Sequence, residues 1–355
     1  MSGADGLEVL IVSLGSTAGL RAADEELRAS LERCGARAAI VRARAPRPVR
    51  TLALTDLAWA RATRAQVALA LRADTRARPP CLIYSTTTAA LLWPLAGAIR
   101  FDSTAAANRP GRHGVWQRPL ERKRLREAPL LLPWSEGSLD GLSPLETVHG
   151  RALVVPVPVE PSATGAWRAP AAAREIAALT YAANPRKKGL DRVLAAWRRV
   201  RSELPSLAGQ ELVVAGASAR DLRAAGLEGG EDGVRVVGVL AHEAYRALLR
   251  RARVFVCAPR REDYGIAQLE ALADGCVLVT TPAPGPYAAL PLARALDTRL
   301  VADDLTAALR AAFERPPTDY AERAHEALAP FTRAAVDGVV ARELLPRLAA
   351  SARLS

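Results

Sequence analysis

Short apolar runs alternate with longer amphipathic stretches along almost the whole chain, and this alternation most constrains the fold. Runs of this length fit buried strands, while the stretches between them are long enough for helices. Strands joined by helices pair in parallel, which predicts an α/β fold with doubly wound parallel sheets. The apolar runs are 9–14, 38–43, 81–85, 129–133, 152–157, 175–181, 211–216, 234–238, 254–259 and 276–280, with helices predicted at 190–204, 242–251 and 266–273.

One segment breaks this alternation and predicts a domain boundary. Residues 156–170 are rich in Pro, Gly, Ser and Thr, so neither a helix nor a strand should persist there. We therefore predict a Rossmann-like domain over 1–160, a linker over 161–172 and a second Rossmann-like domain over 173–330. Residues 331–355 are predicted to form a terminal helix that packs back on the first domain.

Composition and cysteine spacing indicate the cellular setting. The 355 residues, half of them hydrophobic, suffice for two domains. The four cysteines form no C-x-x-C pair and the N-terminus lacks a secretory signal, so we expect a cytoplasmic protein without a disulfide framework or zinc cluster. The uncharged stretch 81–99 approaches the length of a membrane span, but Pro94 and the polar run 84–88 favour a buried strand and a short helix.

The formal net charge of +12 comes mostly from dispersed arginines, with one crowded segment between Arg109 and Arg126 that includes Trp116. A solvated helix face is the simpler interpretation of this basic cluster. The alternative is a contact with an anionic membrane surface or an acidic acceptor. A non-catalytic binder of nucleic acid or anionic membrane is thus one functional hypothesis, although dispersed charge gives no expectation of a nucleic-acid partner.

Glu270 is an anomaly on the predicted helix 266–273. Helical spacing places it on the same apolar face as Ile266, Leu269 and Ala273. A carboxylate there is costly unless hydrogen-bond donors meet it, and ribose hydroxyls are such donors. Its side chain leans towards the helix N-terminus, which lies at the strand ends where open α/β sheets bind ligands.

The start of the same helix predicts a phosphate cradle. The backbone N–H groups of Gly265, Ile266 and Ala267 lack intrahelical partners and lie at the positive end of the helix dipole. Glu262 precedes them in a loop within reach of sugar hydroxyls. The structural alternative is that Glu262 and Glu270 merely pair with nearby arginines such as Arg260 or Arg261.

A second loop carries two of the three lysines of the chain, Lys187 and Lys188, while Lys123 is the third. This loop follows a predicted strand and precedes a helix. An ammonium at a helix start can neutralise a diphosphate, and Gly189 permits close backbone approach. The alternative is an exposed turn with incidental charge.

Residues 262–275, EDYGIAQLEALADG, together with the upstream K-K-G and the stretch 234–259, resemble the signature of family 4 (group 1) retaining glycosyltransferases of the GT-B fold. The likeness covers about residues 176–285. It implies two Rossmann-like domains facing a cleft, with the acceptor held by the first and a nucleotide-diphosphate sugar by the second.

The resemblance also implies site residues and a metal-independent reaction. Lys188 would bind the donor diphosphate, with Lys187 beside it, and Glu262 the transferred sugar. Glu270 would bind the ribose. The remaining implied donor-site residues are Gly238, Val239 and Leu240 beside the base and Tyr264, Gly265, Ile266 and Ala267 at the helix start. No D-x-D motif or histidine cluster is present, so no cofactor or metal is expected.

Three departures from the family pattern affect these assignments. An arginine usual in the family is replaced by Ala183, so Arg186 or Lys187 would have to supply the charge. Tyr264 stands for a phenylalanine. In the first domain Asp102 occupies the strand end where a histidine is often found, and it would contact acceptor or sugar hydroxyls or cap a turn.

The loop after the first strand is the other candidate of the first domain. Gly15 and Ser16 follow this strand and open a helix, without a full dinucleotide fingerprint. They would let a ligand approach the backbone or form an ordinary turn.

The leading hypothesis is sugar transfer from a nucleotide-diphosphate donor to an unknown acceptor, with retention of configuration. A sugar-nucleotide epimerase of the same fold is a further alternative, because it would share the donor site and need no acceptor. The predicted location of the protein is cytoplasmic. Peripheral membrane contact through the basic cluster is an alternative that the sequence leaves open.

Overall fold

The computed structural model describes residues 6–354 except 48, 50, 76–78, 110, 141, 143–149, 171–172 and 228–231. The chain divides into two compact units, the first formed by Met1–Pro158 with Arg333–Ser355 and the second by Val159–Thr332. The segment 161–172, expected as a linker, belongs to the second unit. Trp167 of this segment is buried and stacks on His325 at 4.3 Å between ring centroids.

The first unit contains a five-stranded parallel sheet of order β2-β1-β3-β4-β5. Its strands are β1 (Glu8–Ser13), β2 (Arg37–Arg42), β3 (Cys81–Tyr84), β4 (Ala98–Phe101) and β5 (Leu131–Pro133). Its helices are α1 (Ala18–Arg33), α2 (Leu52–Ala73), α3 (Thr87–Ala90), α4 (Ala105–Asn108) and α5 (Gln117–Glu127). The side chains of Thr17 and Thr51 cap α1 and α2, which explains where these helices begin.

Residues 152–157 do not form the strand that their apolar pattern predicts. Leu153 and Val155 donate backbone hydrogen bonds along β5, but only an isolated bridge at Ala152 results. Pro156 and Pro158 have no backbone N–H, so the ladder cannot continue past them. By contrast, 81–99 contains the predicted strand and short helix, β3 and α3, and ends in the first residues of β4. None of the described helices is both long and apolar enough to span a membrane.

The segment 333–355 supplies part of the core of the first unit. It consists of α13 (Arg333–Val339), a π-helical turn (Val340–Leu344) and α14 (Leu345–Leu354). Val336, Val340, Leu344 and Leu348 are buried against residues of β1 and α1. Asp337 also accepts hydrogen bonds from Ser30 at 2.5 Å and Arg33 at 2.7 Å.

Glu121 of α5 is a buried carboxylate that fixes the loop after β4. Its Oε1 and Oε2 accept the backbone N–H of Ala105, at 2.9 and 2.7 Å, and thereby cap α4 from another element. Burial raises the pKa of Glu121 to about 7, against the smaller opposing effects of Thr87, Ala105, Arg109 and Arg122.

The second unit contains a five-stranded parallel sheet of order β10-β9-β6-β7-β8. Its strands are β6 (Ile176–Tyr181), β7 (Leu212–Ala215), β8 (Val234–Gly238), β9 (Ala252–Cys257) and β10 (Val277–Thr280). Its helices are α6 (Leu190–Glu203), α7 (Ala219–Ala224), α8 (His242–Arg251), α9 (Ile266–Ala273), α10 (Ala289–Leu296), α11 (Leu305–Glu314) and α12 (Tyr320–Ala327). The three helices predicted in this unit from sequence are confirmed, as is the α/β fold.

Strand order places the predicted donor loops together. The chain leaves β6 towards β7 and β8 but leaves β9 towards β10, so the direction of winding reverses between β6 and β9. Such a switch point opens a crevice at the carboxyl ends of the strands. The loops 182–189 and 258–265 follow these two strands and therefore lie at this crevice.

Candidate active site

Lys188 and Glu262 bring together the two loops at the switch point. Nζ of Lys188 lies 2.6 Å from Oε2 of Glu262. Gly189 permits this approach, because its φ is +62° and a Cβ there would lie 1.9 Å from the carbonyl oxygen of Ala258. The close neighbour of Gly189 is thus a backbone carbonyl of the adjacent loop.

Both the side chain and the backbone of Glu262 are fixed by contacts with neighbouring residues. The residue is 5% exposed, and its Oε2 accepts a hydrogen bond from Nε2 of Gln268 at 3.1 Å. Its backbone N–H donates to the carbonyl of Pro284 at 3.1 Å. A Cβ at Gly285 would lie 2.2 Å from the carbonyl oxygen of Glu262, so the loop 281–286 lies against this backbone.

The neighbouring charges form their own pairs. Lys187 lies 2.7 Å from Asp263, which also pairs with Arg261 at 2.9 Å. Burial opposes ionisation of Asp263, but these two cations outweigh it and lower its pKa. Arg260 pairs with Asp191 at 2.7 Å. The described ion pairs of Arg260 and Arg261 are thus with aspartates, whereas Glu270 lies 3.8 Å from another arginine, Arg246.

Glu270 is buried on α9, with 8% of the residue exposed, and its partners come from α8. Its Oε1 lies 2.7 Å from Nε2 of His242 and 3.8 Å from Nη1 of Arg246. The hydrogen bond to Glu270 raises the pKa of His242, with burial acting in the opposite direction. The buried carboxylate inferred from helical spacing is thus present, and it is turned towards the start of α8.

Sequence reasoning missed His242 and Arg246. An exposed histidine at the first position of a helix resembles any polar surface residue, and arginine is common throughout this chain. The available signal was position, since His242 follows the loop expected to flank the base. Arg246 is buried, which its charge and its place in the sequence did not indicate.

The start of α9 has the geometry of an open helix N-terminus. Gly265 is the N-cap with φ +93°, and a Cβ there would lie 2.8 Å from the ring of Tyr287. Ile266 and Ala267 are partly exposed, while Tyr264 is buried. Glycine is required at this cap by both conformation and packing.

The loop expected to flank the base is open. Gly238 has φ +76° with no atom near the place of a Cβ, and its carbonyl accepts from the backbone of Gly216 at 2.8 Å. Val239 is 74% exposed and Leu240 is half-buried. An exposed valine here leaves apolar surface available to a ligand.

A cavity of about 640 Å³ lies elsewhere in the second unit. Residues of α6, the loop 281–284 and the segment 303–306 line it, and the predicted donor-site residues are outside this lining. Pro259 and Pro284 also line it, so the cavity adjoins the loops that hold Glu262.

The candidates of the first unit lie at the carboxyl ends of its strands. Gly15 follows β1 with φ +60°, and its carbonyl accepts from Nη1 of Arg21 at 2.7 Å, while Ser16 is exposed. Asp102 follows β4 and is half-buried, and its carbonyl accepts from Oγ of Ser138 at 2.8 Å. Gly15 and Asp102 thus both lie in loops supported by neighbouring side chains.

Several cations of the basic cluster have intramolecular partners. Arg109 pairs with Asp56 at 2.8 Å, Arg118 donates to the carbonyl of Arg109, and Arg124 pairs with Glu127 at 2.8 Å. The exposed cations are Arg112, Arg122, Lys123 and Arg126. The positive surface is therefore smaller than the sequence suggests.

Within the described part of the chain, no group of three or more His, Cys, Asp or Glu could hold a metal ion. His149, one of the four histidines, lies outside the described residues. All four cysteines are free.

Comparison with known families shows what the second unit is similar to. Residues 175–315 match the family described as glycosyl transferases, group 1. This part of the chain is therefore similar to a group 1 glycosyltransferase domain. The sequence-based prediction of a glycosyltransferase is thereby confirmed, and the group 1 domain supports glycosyl transfer from a nucleotide sugar.

Solved structures resemble the whole chain, not only residues 175–315. WaaG, a glycosyltransferase involved in lipopolysaccharide biosynthesis, has a TM-score of 0.63 at 16% identity, covering 98% of each chain. Sucrose-phosphate synthase from Thermosynechococcus elongatus has a TM-score of 0.66 at 17% identity, covering 98% of this chain and 100% of its own.

HepE from Anabaena, in complex with UDP and glucose, has a TM-score of 0.64 at 12% identity, covering 95% of this chain and 99% of its own. Identities this low show the fold alone, which is that of GT-B glycosyltransferases. Among curated proteins, no sequence matches this chain.

Proposed function

We propose that this protein transfers a sugar from a nucleotide-diphosphate donor to an acceptor held by its first unit, with retention of configuration and without a metal ion. One observation carries the proposal. Lys188 and Glu262 lie 2.6 Å apart at the switch point of a group 1 glycosyltransferase domain. A cation for the leaving phosphate and a carboxylate for the sugar are thus placed side by side.

The proposed donor site uses the groups at the crevice. Lys188 and the backbone N–H groups of Gly265, Ile266 and Ala267 bind the diphosphate, since both supply positive potential at one place. Glu262 accepts hydrogen bonds from the sugar, and Glu270 from the ribose. The Gly238–Leu240 loop flanks the base. HepE, which shares the fold, is described in complex with UDP and glucose, which supports a nucleotide-sugar donor here.

In the proposed reaction the bond from the anomeric carbon to the donor phosphate oxygen breaks, and a bond from that carbon to the acceptor oxygen forms on the same face. The proton of the acceptor hydroxyl passes to an oxygen of the departing diphosphate. The negative charge that develops on this diphosphate is stabilised by Lys188 and the start of α9. These fixed positive groups do the work that a divalent cation does in other transferases.

The weakest part of the donor site is its charge. Ala183 offers no cation where the family has an arginine, and Lys187 is already paired with Asp263. Arg186 is exposed in the same loop and is the proposed substitute.

The acceptor is proposed to contact the loops of Gly15, Ser16 and Asp102. A carboxylate such as Asp102 accepts hydrogen bonds from sugar hydroxyls, and Ser16 is exposed beside a glycine turn. Location in a reducing compartment such as the cytoplasm fits the four free cysteines.

Peripheral contact with an anionic membrane is a second proposal, supported by Arg112, Arg122, Lys123 and Arg126 on one exposed segment beside Val115, which is 61% exposed. Flotation with vesicles containing phosphatidylserine should depend steeply on salt and be lost when these four cations become glutamine. Binding that survives their removal would contradict it.

The central test is incubation of the purified protein with UDP-, GDP- and ADP-sugars, followed by mass spectrometry of the products. Transfer or slow hydrolysis of at least one donor is expected, whereas release of an epimerised sugar nucleotide would favour the epimerase. Glu270→Ala should abolish donor binding. The matched control is Glu175→Ala, which removes the same charge from an exposed ion pair with Arg251. Full donor binding by Glu270→Ala would contradict the proposal.

A further inference from the structure

The carboxylate of Glu270 is held by one oxygen. Both of its described contacts, from His242 at 2.7 Å and from Arg246 at 3.8 Å, reach Oε1. Among the residues that the structure describes, no hydrogen bond reaches Oε2. The carboxylate therefore has one anchored oxygen and one that remains able to accept.

Arg246 is committed to other partners. Its Nε donates to Asp274 at 2.7 Å and its Nη2 to the carbonyl of Glu160 at 2.7 Å. Asp274 in turn accepts from the backbone N–H and the hydroxyl of Ser162. Because its guanidinium is fixed by these bonds, Arg246 approaches Glu270 only to 3.8 Å and supplies charge without a hydrogen bond.

His242 differs from Arg246 in its exposure to solvent and in its distance from Glu270. Its side chain is 69% exposed, yet its ring makes the short contact to Oε1. Water could satisfy an exposed imidazole equally well, so this contact orients the carboxylate rather than the histidine. The first position of α8 places the ring directly after the Gly238–Leu240 loop.

We propose that His242 is a positioning residue that holds Oε1 of Glu270, so that Oε2 faces the ribose hydroxyls of the nucleotide. This inference rests on the proposed function. Its consequence is that His242 sets the preference of the site for ribonucleotides over 2′-deoxyribonucleotides. A buried carboxylate that loses its hydroxyl donor is left unsatisfied, so an oriented carboxylate discriminates strongly and a loose one weakly.

The charged and titratable groups around His242 give the proposal a pH signature. Glu270 faces it from α9, Glu243 and Arg246 from its own helix, and the rings of Tyr181 and Tyr245 lie beside the same carboxylate. The imidazolium makes a charge-assisted bond to Oε1. As the pH rises through its pKa, which Glu270 raises above the usual 6.5, the bond becomes a weaker neutral one.

The test compares nucleotide pairs by isothermal titration calorimetry. Wild type, His242→Ala and His242→Gln are titrated with whichever of UDP, GDP and ADP the wild type binds, and with its 2′-deoxy counterpart. In His242→Ala the ratio of the two affinities should fall by about tenfold, the value of one charge-assisted hydrogen bond, with little change for the deoxynucleotide. His242→Gln, which keeps an N–H donor, should restore most of the ratio.

The pH dependence and a neighbouring variant serve as controls. The wild-type ratio should decline as the pH is raised from 6 to 9, while that of His242→Gln stays flat. Glu243→Ala removes a carboxylate that helps to raise the pKa of His242, so its ratio should decline at a lower pH than that of the wild type. Thermal unfolding of each variant checks that the fold is intact.

The outcomes separate the two proposals. If His242→Ala keeps the wild-type ratio while Glu270→Ala loses nucleotide binding, the role of His242 is overturned and the donor site stands. If Glu270→Ala binds both nucleotides as the wild type does, or the wild type binds no nucleotide, both are overturned.

Discussion

Lys188 and Glu262 form an ion pair of 2.6 Å that joins the loop after β6 to the loop after β9. The Glu262 side chain is 6% exposed and that of Lys188 is 21% exposed, so the pair lies at the edge of solvent. The charge of Lys188 is therefore paired within the protein. A donor diphosphate must then compete with Glu262 for this ammonium.

Replacing Lys188 by alanine should weaken nucleoside diphosphate binding. Loss of one charge-assisted contact corresponds to roughly ten- to hundredfold in affinity. Calorimetry with the nucleotide that the wild type binds measures the effect. Lys123→Ala, which removes the same charge from an exposed helix of the first unit, is the control. Equal affinities of the two variants would exclude Lys188 from the phosphate site.

Glu262→Gln should change the affinity for the nucleotide sugar and the affinity for the bare nucleoside diphosphate in different ways. The variant frees Lys188 from its partner, so the bare nucleoside diphosphate should bind at least as tightly as to wild type. The intact nucleotide sugar should bind about tenfold more weakly, because a carboxylate that accepts sugar hydroxyls becomes a neutral amide. Competition binding with both ligands provides the measurement. Parallel changes for the two ligands would rule out a sugar contact at this residue.

Gly189→Ala should destabilise the second unit. A left-handed φ of +62° costs an alanine about 1–3 kcal/mol, and its Cβ would overlap the carbonyl of Ala258. Gly209→Ala is the matched control, since Gly209 has φ +75° but open space around it. Urea unfolding of both variants should show the larger loss for Gly189→Ala. A smaller or equal loss would show that the two loops can separate without cost.

Stability should depend on pH through Glu121. The pKa of this carboxyl is about 7 in the folded protein against an ordinary value of 4.5, because burial favours the protonated form. The stabilisation that Glu121 contributes to the folded state is therefore complete below pH 4.5 and is lost as the pH rises through about 7. The free energy of unfolding should fall by a total on the order of 3 kcal/mol. Glu121→Gln should flatten the decline in unfolding free energy between pH 5 and 8. Glu127→Gln, on the exposed face of the same helix, should leave it unchanged.

Sequence patterns predicted much of the second unit because its periodicities are strong. The three helices at 190–204, 242–251 and 266–273 were confirmed, and Glu270 was recognised as buried from helical spacing alone. Both results depend on the spacing of apolar residues within one helix, which can be read from the sequence alone. The run 152–157 was misjudged because two prolines outweigh its apolar character.

Partners across the fold could not be predicted in the same way. His242 meets Glu270 across 28 residues of sequence, and Arg246 meets Glu160 across 86. Nothing in the spacing of these residues marks the contact, since it depends on how two helices pack. The pairing of Lys187 with Asp263 was also missed, because either residue alone reads as an exposed charge.

Val336, Val340, Leu344 and Leu348 fill the core of the unit that begins at the other end of the sequence. During synthesis, β1 and α1 emerge more than 300 residues before these side chains, so their apolar faces stay uncovered while the glycosyltransferase domain is made. That domain has no such delay and can fold first. A fragment ending at residue 158 would keep the sheet but leave the contact faces of β1 and α1 bare, and would tend to aggregate.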